Sequence, residues 1–335
     1  MPDTAVEIIG ANASPYSRKL RAILRYRRIP HIWRWRQPGM GADVESVRPA
    51  LIPMMRMPGE AQWRVDSTPL AYALEAHSRE RSIVPPCPAE AFLCHLIEDF
   101  ADEWGTKWMF HHRWKHDATA ERAAIWIAQE MLADLTVTQV QAFAEQFQAR
   151  QRSRMALVGS SPETAPIIEQ SYRRILAVLG ESLSGRQYLF GSRPSLADFA
   201  LYGQLVQLAT DIWPRDLMRE LAPLLESWLA LLDDASGVEG EWQASAPSAL
   251  QARRGVLEMI GAEYLPFLEA NAKAASGDQT EVELLIRGQR YAQQPFPYQA
   301  KCHAEIRRRW SALSDADREK VAPELEAAGC LGFLG

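Results

Sequence analysis

The feature that most limits how this 335-residue chain can fold is the segment Val84-Pro85-Pro86-Cys87-Pro88. Three prolines in five residues cannot sit inside a helix or a central strand, so the segment reads as a linker. The hydrophobic period changes across it. Short strands and helices alternate before it, whereas residues 91–232 have helical spacing almost throughout. A chain of this length is expected to hold two or three domains.

Ahead of the linker, 6–9 is predicted as a strand and 17–27 as a helix with Leu20, Ile23 and Leu24 on one face. Arg28-Ile29-Pro30 ends that helix, because the residue before a proline avoids the helical region. A second strand over 31–36 and a short helix over 43–47 follow. Residues 52–57 and 62–65 pair as a hairpin through Pro58-Gly59-Glu60-Ala61. A helix over 66–78 begins at a cap on Asp66 or Ser67. Beyond the linker, helices are predicted over 91–108, 120–148, 164–184, 195–210 and 214–232. Residues 237–247 break the pattern. A helix over 249–275, a small hairpin within 281–294, and helices over 298–313 and 314–328 complete the chain. The predicted units are therefore 1–82, 90–235 and 240–335.

Composition narrows the partners. The 37 Lys and Arg against 42 Asp and Glu give a formal charge of −5, which argues against nucleic acid as the ligand. The basic run 18–36 is local and reads as a solvated helix face. The four cysteines, Cys87, Cys94, Cys302 and Cys330, form no CxxC pair, and adjacent histidines such as His111 and His112 point apart on a helix. No metal is expected. Residues 1–10 lack the pattern of a signal peptide, and no apolar run approaches the ~18 residues of a membrane span. The expectation is a cytoplasmic protein without a membrane partner.

Chemistry concentrates where the first strand ends. It empties into Ala11-Asn12-Ala13-Ser14-Pro15-Tyr16-Ser17 and directly into a helix N-terminus, a place that favours a phosphate, carboxylate or thiolate. A Ser14 hydroxyl there can donate to a thiolate. Tyr16 and Ser17 are rivals for that role, and Asn12 is a weaker one. A free thiol titrates near ~8.5, and each unit of lowering needs about 1.4 kcal/mol. One charge-assisted hydrogen bond with a helix end supplies roughly two units. The plainer reading of Ser14 is a turn residue before Pro15.

Three stretches resemble the soluble glutathione transferase superfamily. Ser14-Pro15-Tyr16-Ser17-Arg18-Lys19-Leu20-Arg21 is similar to the Ser-Pro-Phe-x-x-Arg-Val-Arg stretch of serine-type members. Ile52-Pro53 followed by Asp66-Ser67 is similar to the family's Val-Pro and Glu/Asp-Ser. Gly191-Ser192-Arg193-Pro194-Ser195-Leu196-Ala197-Asp198 is similar to its helical-domain capping box. The resemblance covers about 1–235 and says little of 240–335. It implies an α/β plus all-α protein: a thioredoxin-like glutathione-binding domain, then an all-helical substrate domain, here with a C-terminal extension. It also implies glutathione as co-substrate and a homodimer.

Carried onto this sequence, the resemblance places Ser14 on the sulfur and Ile52, Pro53, Asp66 and Ser67 on the peptide. A cis Pro53 would free the backbone of Ile52 to pair with the ligand like an added strand, whereas a trans proline on an edge strand is the plain alternative. Ser67 at a helix start suits a carboxylate and Asp66 an amine, and an ordinary N-cap is compatible with both. Arg34, Arg36 and Arg56 are open choices for the glycine carboxylate. The helical domain would hold a small hydrophobic electrophile. Trp104 and Trp108 share a helix face and, with His111, form either an aromatic wall of that pocket or interdomain core. No cysteine occupies position 14 or 17, so disulfide exchange has no nucleophile. The alternatives are a transferase-shaped binding protein without turnover, and a glutathione-dependent lyase or isomerase. The segment 294–302, with Pro295 and Pro297 flanking Phe296, either covers the cleft or braces the helical domain.

Overall fold

A computed structural model describes residues 5–335 apart from 79, 133–135, 183–187 and 278. The expectation about a leader in 1–10 falls partly on residues 1–4, and parts of the helices predicted over 120–148 and 164–184 fall on 133–135 and 183–184. Those positions lie outside the described residues.

The first unit runs β1 (Val6–Gly10), α1 (Pro15–Tyr26), β2 (His31–Trp35), α2 (Ala42–Glu45), β3 (Met54–Arg56), β4 (Arg64–Val65) and α3 (Ser67–His77). Its sheet has the order β2-β1-β3-β4. β1 pairs parallel with β2, Val6 opposite His31, and antiparallel with β3, Ile8 opposite Met55. A parallel neighbour needs a crossover, and α1 supplies it. Leu20, Ile23 and Leu24 are fully buried beneath the sheet, as the helical spacing requires.

The second unit is helical: α4 (Pro88–Glu103), α5 (Gly105–Lys115), α6 (Asp117–Met131), α7 (Val137–Ser153), α8 (Ala165–Ser182), α9 (Leu196–Thr210), α10 (Ile212–Leu221) and α11 (Leu225–Asp233). The helix predicted over 91–108 is two helices that break at Trp104-Gly105, and α10 and α11 part at Ala222-Pro223, where proline offers no N–H. Ser195 caps α9: its Oγ accepts from Asp198 N–H at 3.4 Å, and Asp198 Oδ2 accepts from Ser195 N–H at 2.8 Å. α9 lies directly on α1, and Gly203 is what permits it. A Cβ there would stand 2.7 Å from the Pro15 carbonyl oxygen.

The extension holds α12 (Pro247–Met259), a π-turn (Ile260–Tyr264), α13 (Leu265–Ala275), the hairpin β5 (Val282–Ile286) and β6 (Gln289–Gln293), α14 (Pro297–Ser311) and α15 (Asp315–Ala327). The π-turn interrupts the single helix predicted over 249–275 just before Pro266, a residue that cannot donate to the helix ladder. The hairpin reaches back to the helical unit at Gly159, whose φ is +79° and where a Cβ would meet Tyr291 Oη at 2.0 Å. One continuous core runs from Val6 and Ile8 through Phe100 and Trp104 to Tyr264 and Leu325. Among the described residues no helix is long and apolar enough to cross a membrane.

Candidate active site

Where the first unit meets α4, a buried ion cluster fixes the geometry. Lys19 Nζ donates to Glu98 Oε1 at 2.5 Å and to Asp102 Oδ2 at 2.6 Å. Ser67 Oγ donates to Asp102 Oδ2 at 3.3 Å, and Thr68 Oγ1 donates to Glu98. Burial works against the Glu98 carboxylate, but Lys19 and His95 beside it outweigh that and hold it down at about 2. Burial pushes the Asp102 carboxyl up, against the pull of Lys19 and with the push of Glu98. Helix α3 therefore starts on a platform of charges anchored in α1 and α4.

Above this platform lies a cavity of about 550 Å³. One edge belongs to the first unit and carries Tyr16, Ile52, Asp66, Ser67 and Thr68. The Ile52–Pro53 peptide is cis. Among the described residues, neither the N–H nor the C=O of Ile52 makes a hydrogen bond, and the Ser67 N–H is also free. Asp66 has φ +79° and accepts from Thr68 N–H at 3.4 Å as the cap of α3. The edge thus offers an extended backbone, one free helix-start donor and one carboxylate.

The opposite wall comes from α4, α5 and α7 with the extension. Asp99, Glu103, Thr106, Lys107 and Phe110 line it, as do Arg154, Leu157, Phe296, Tyr298 and Gln299. Tyr298 Oη donates to Asp66 Oδ2 at 2.8 Å, so the extension touches the first unit across the cavity. Phe296, Tyr298 and Gln299 bring the segment 294–302 onto the cavity wall, and Asn271 of α13 holds the Phe296 backbone. Burial pushes the Glu103 carboxyl up to about 8, with Asp99 and Asp102 adding to it. Burial pulls the Lys107 ammonium down to about 7. That ammonium donates to Val158 O at 3.1 Å and Gln293 Oε1 at 2.8 Å, and lies over the Phe267 ring.

The predicted residues are only partly brought together. Ser14 caps α1, its Oγ accepting from Ser17 N–H at 3.3 Å, but it lies outside the cavity lining. Tyr16 lines the cavity and donates its hydroxyl to Asp102 O at 3.0 Å. Burial, with Glu103 and Asp102 nearby, keeps that phenol protonated well above its ordinary range. Ser17 is fully buried, and its Oγ accepts from Ala11 N–H at 3.3 Å.

Trp104 and Trp108 require a correction. They do not line the cavity. Both are fully buried, and both indole N–H groups donate to Ser171 Oγ at 2.9 Å, which turns that face toward α8. Phe110, Phe296 and Tyr298 are the aromatics of the wall instead. His111 is also elsewhere: it faces a separate cleft, where Ser160 Oγ and Glu169 Oε1 meet its ring nitrogens at 2.8 and 3.1 Å. Arg34, Arg36 and Arg56 pair with Glu7, Glu45 and Glu7 respectively, away from the cavity.

Three contributors escaped the sequence reading. Lys107 sat unremarked between two tryptophans, Arg154 ends α7, and Gln299 lies more than 190 residues beyond Glu103. Only the proline-flanked Phe296 carried a visible signal.

Fold and site together define a two-domain protein in which a thioredoxin-like unit presents a free backbone edge and a helix start to a pocket roofed by a helical domain. A glutathione S-transferase N-terminal domain matches residues 8–82, and a glutathione S-transferase C-terminal domain matches residues 130–231. The chain belongs to the glutathione S-transferase family. Among solved structures it is similar to a glutathione S-transferase from Methylobacterium radiotolerans in complex with glutathione sulfonate, at 19% identity over 74% of this chain and 94% of that one, TM-score 0.42. It is similar to the beta-etherase LigF of a Sphingobium strain at 16% identity over 74% and 98%, TM-score 0.47. It is also similar to a glutathione transferase homolog from Lodderomyces elongisporus with two GSH per subunit, at 15% identity over 74% and 97%, TM-score 0.39. No curated protein matches the sequence.

Proposed function

We propose that this chain binds glutathione along Ile52, Pro53, Asp66 and Ser67 and activates its thiol for attack on a small electrophile held by the opposite wall. The observation that carries the reading is the set of unpaired groups on one cavity edge: the backbone of Ile52 and the helix-start N–H of Ser67. The first suits the cysteinyl backbone, the second the γ-glutamyl carboxylate, and Asp66 the amine. Glutathione is then a co-substrate rather than a resident group. The same reading carries a cytoplasmic homodimer, and light scattering at the mass of one chain across concentrations would remove the dimer from it.

Two hydroxyls compete for the sulfur. Ser14 Oγ only accepts, from Ser17 N–H, so its own proton is free to donate at the positive end of α1. Tyr16 has the better position, on the cavity wall, but its proton is given to Asp102 O. We assign the donor to Ser14. Ser14→Ala should then abolish the ultraviolet thiolate absorbance of bound glutathione at neutral pH and slow turnover by about 2–4 kcal/mol of barrier, with binding little changed. Loss of both signals in Tyr16→Phe and not in Ser14→Ala transfers the role to Tyr16.

A further inference from the structure

The polar groups around the cavity are unevenly matched. Several of its donors are committed: Tyr16, Ser67, Thr68 and Tyr298 give their hydroxyl protons to Asp102 O, Asp102, Glu98 and Asp66, and the Lys107 ammonium is taken by Val158 O and Gln293, while Thr106, Gln151 and Arg154 also line the cavity. One buried acceptor of the lining is unpaired. Gln299 lines the cavity, is only 5% exposed, and its Oε1 has no hydrogen-bond partner. Beside it Glu103 meets the Gln299 side chain, and Lys107 attracts its carboxylate without forming an ion pair with it among the described residues. A buried acceptor left unpaired costs free energy that a ligand donor recovers.

Charge points the same way. Asp66, Asp99, Asp102 and Glu103 line the cavity against two cations, Lys107 and the exposed Arg154. Phe110, Leu157 and Phe296 add apolar surface to the same lining. An ammonium group brings three donors and a positive charge to a lining in which carboxyls outnumber cations.

Resting on the glutathione reading, we propose that the second ligand of this cavity is an apolar amine, with its ammonium group against Glu103 and Gln299 and its apolar body along Phe110, Leu157 and Phe296. Burial, with Asp99 and Asp102 adding to it, raises the Glu103 carboxyl, and a ligand ammonium beside it would favour its ionised form. The amine of glutathione itself is a different group, assigned above to Asp66.

Three phenylalkyl probes of similar apolar body test this: 4-phenylbutylamine, 4-phenylbutan-1-ol and 4-phenylbutyrate, each titrated calorimetrically into the full chain at neutral pH. The amine is expected to bind about tenfold more tightly than the alcohol, the scale of one charge-assisted hydrogen bond, and the butyrate most weakly. Equal affinities, or a butyrate that binds best, overturn the inference, and this ranking needs no variant. Glu103→Gln should bring amine and alcohol together while Asp66→Asn preserves the preference; the reverse pattern places the amine at Asp66 and also overturns it. Circular dichroism checks that both variants fold. Glutathione is titrated separately. If it gives no heat while the amine preference holds, the transferase reading fails and this inference stands. If glutathione binds and the three probes are equal, only this inference fails.

Discussion

The two edges of the cavity are built on opposite principles. On the Asp66–Ser67 edge the side chains are already satisfied, Ser67 by Asp102 and Asp66 by Tyr298 and Thr68, and what remains free is backbone. On the Glu103–Gln299 edge the backbone is helical and the side chains are left short of donors. A ligand on the first edge reads the chain path, which tolerates side-chain change. A ligand on the second reads side-chain chemistry, which a single substitution can rewrite.

The largest effect should come from breaking the platform under the first edge. Lys19→Met leaves Glu98 and Asp102 buried without their cation, and loss of one partner of such a cluster costs about 3–5 kcal/mol. Urea denaturation should show that loss; a change under about 1 kcal/mol would mean that water or rearrangement relieves the two carboxylates, and that the platform does not hold α3 in place.

A smaller effect sharpens the contrast from the other edge. Folded Glu103 holds its proton up to about 8, against 4.5 for an ordinary glutamate. Between those values the unfolded chain is ionised there and the folded chain is not. Folding then binds a proton, so this group makes stability fall as pH rises from about 4.5 to about 8. Glu103→Gln removes that slope. Its melting temperature should equal the wild type's near pH 4.5 and exceed it by a few degrees near pH 8. Lys107, pulled down to about 7 from 10.5, acts in the opposite sense above pH 7, and does so in both proteins. A constant difference across the range would show that the Glu103 carboxyl is not displaced by its surroundings.

The same division explains what the sequence could reveal. The first edge is local in the chain. A helix start at Asp66-Ser67, a proline after Ile52 and a capping box at Ser195 are each set by neighbours within a few residues, and each is visible in one dimension. The second edge joins residues 103, 107, 154 and 299, which no period connects. Trp104 and Trp108 show why the reading of that edge went astray. Their i, i+4 spacing correctly puts them on one face, but spacing cannot say whether that face meets a cavity or Ser171 on α8. The breaks at Trp104-Gly105 and at the π-turn before Pro266 were likewise hidden, because helical period continues on both sides of each.

The central claim is that the free backbone and helix start of the first edge hold glutathione. Calorimetric titration of reduced glutathione into the wild type, Ser67→Ala and Asp66→Asn tests it most directly. The account predicts a single site with submillimolar affinity in the wild type, little changed in Ser67→Ala, which keeps the free N–H, and weakened about tenfold in Asp66→Asn, which removes the carboxylate assigned to the amine. No heat and no competition at millimolar glutathione, or a binding curve untouched by Asp66→Asn, would contradict it.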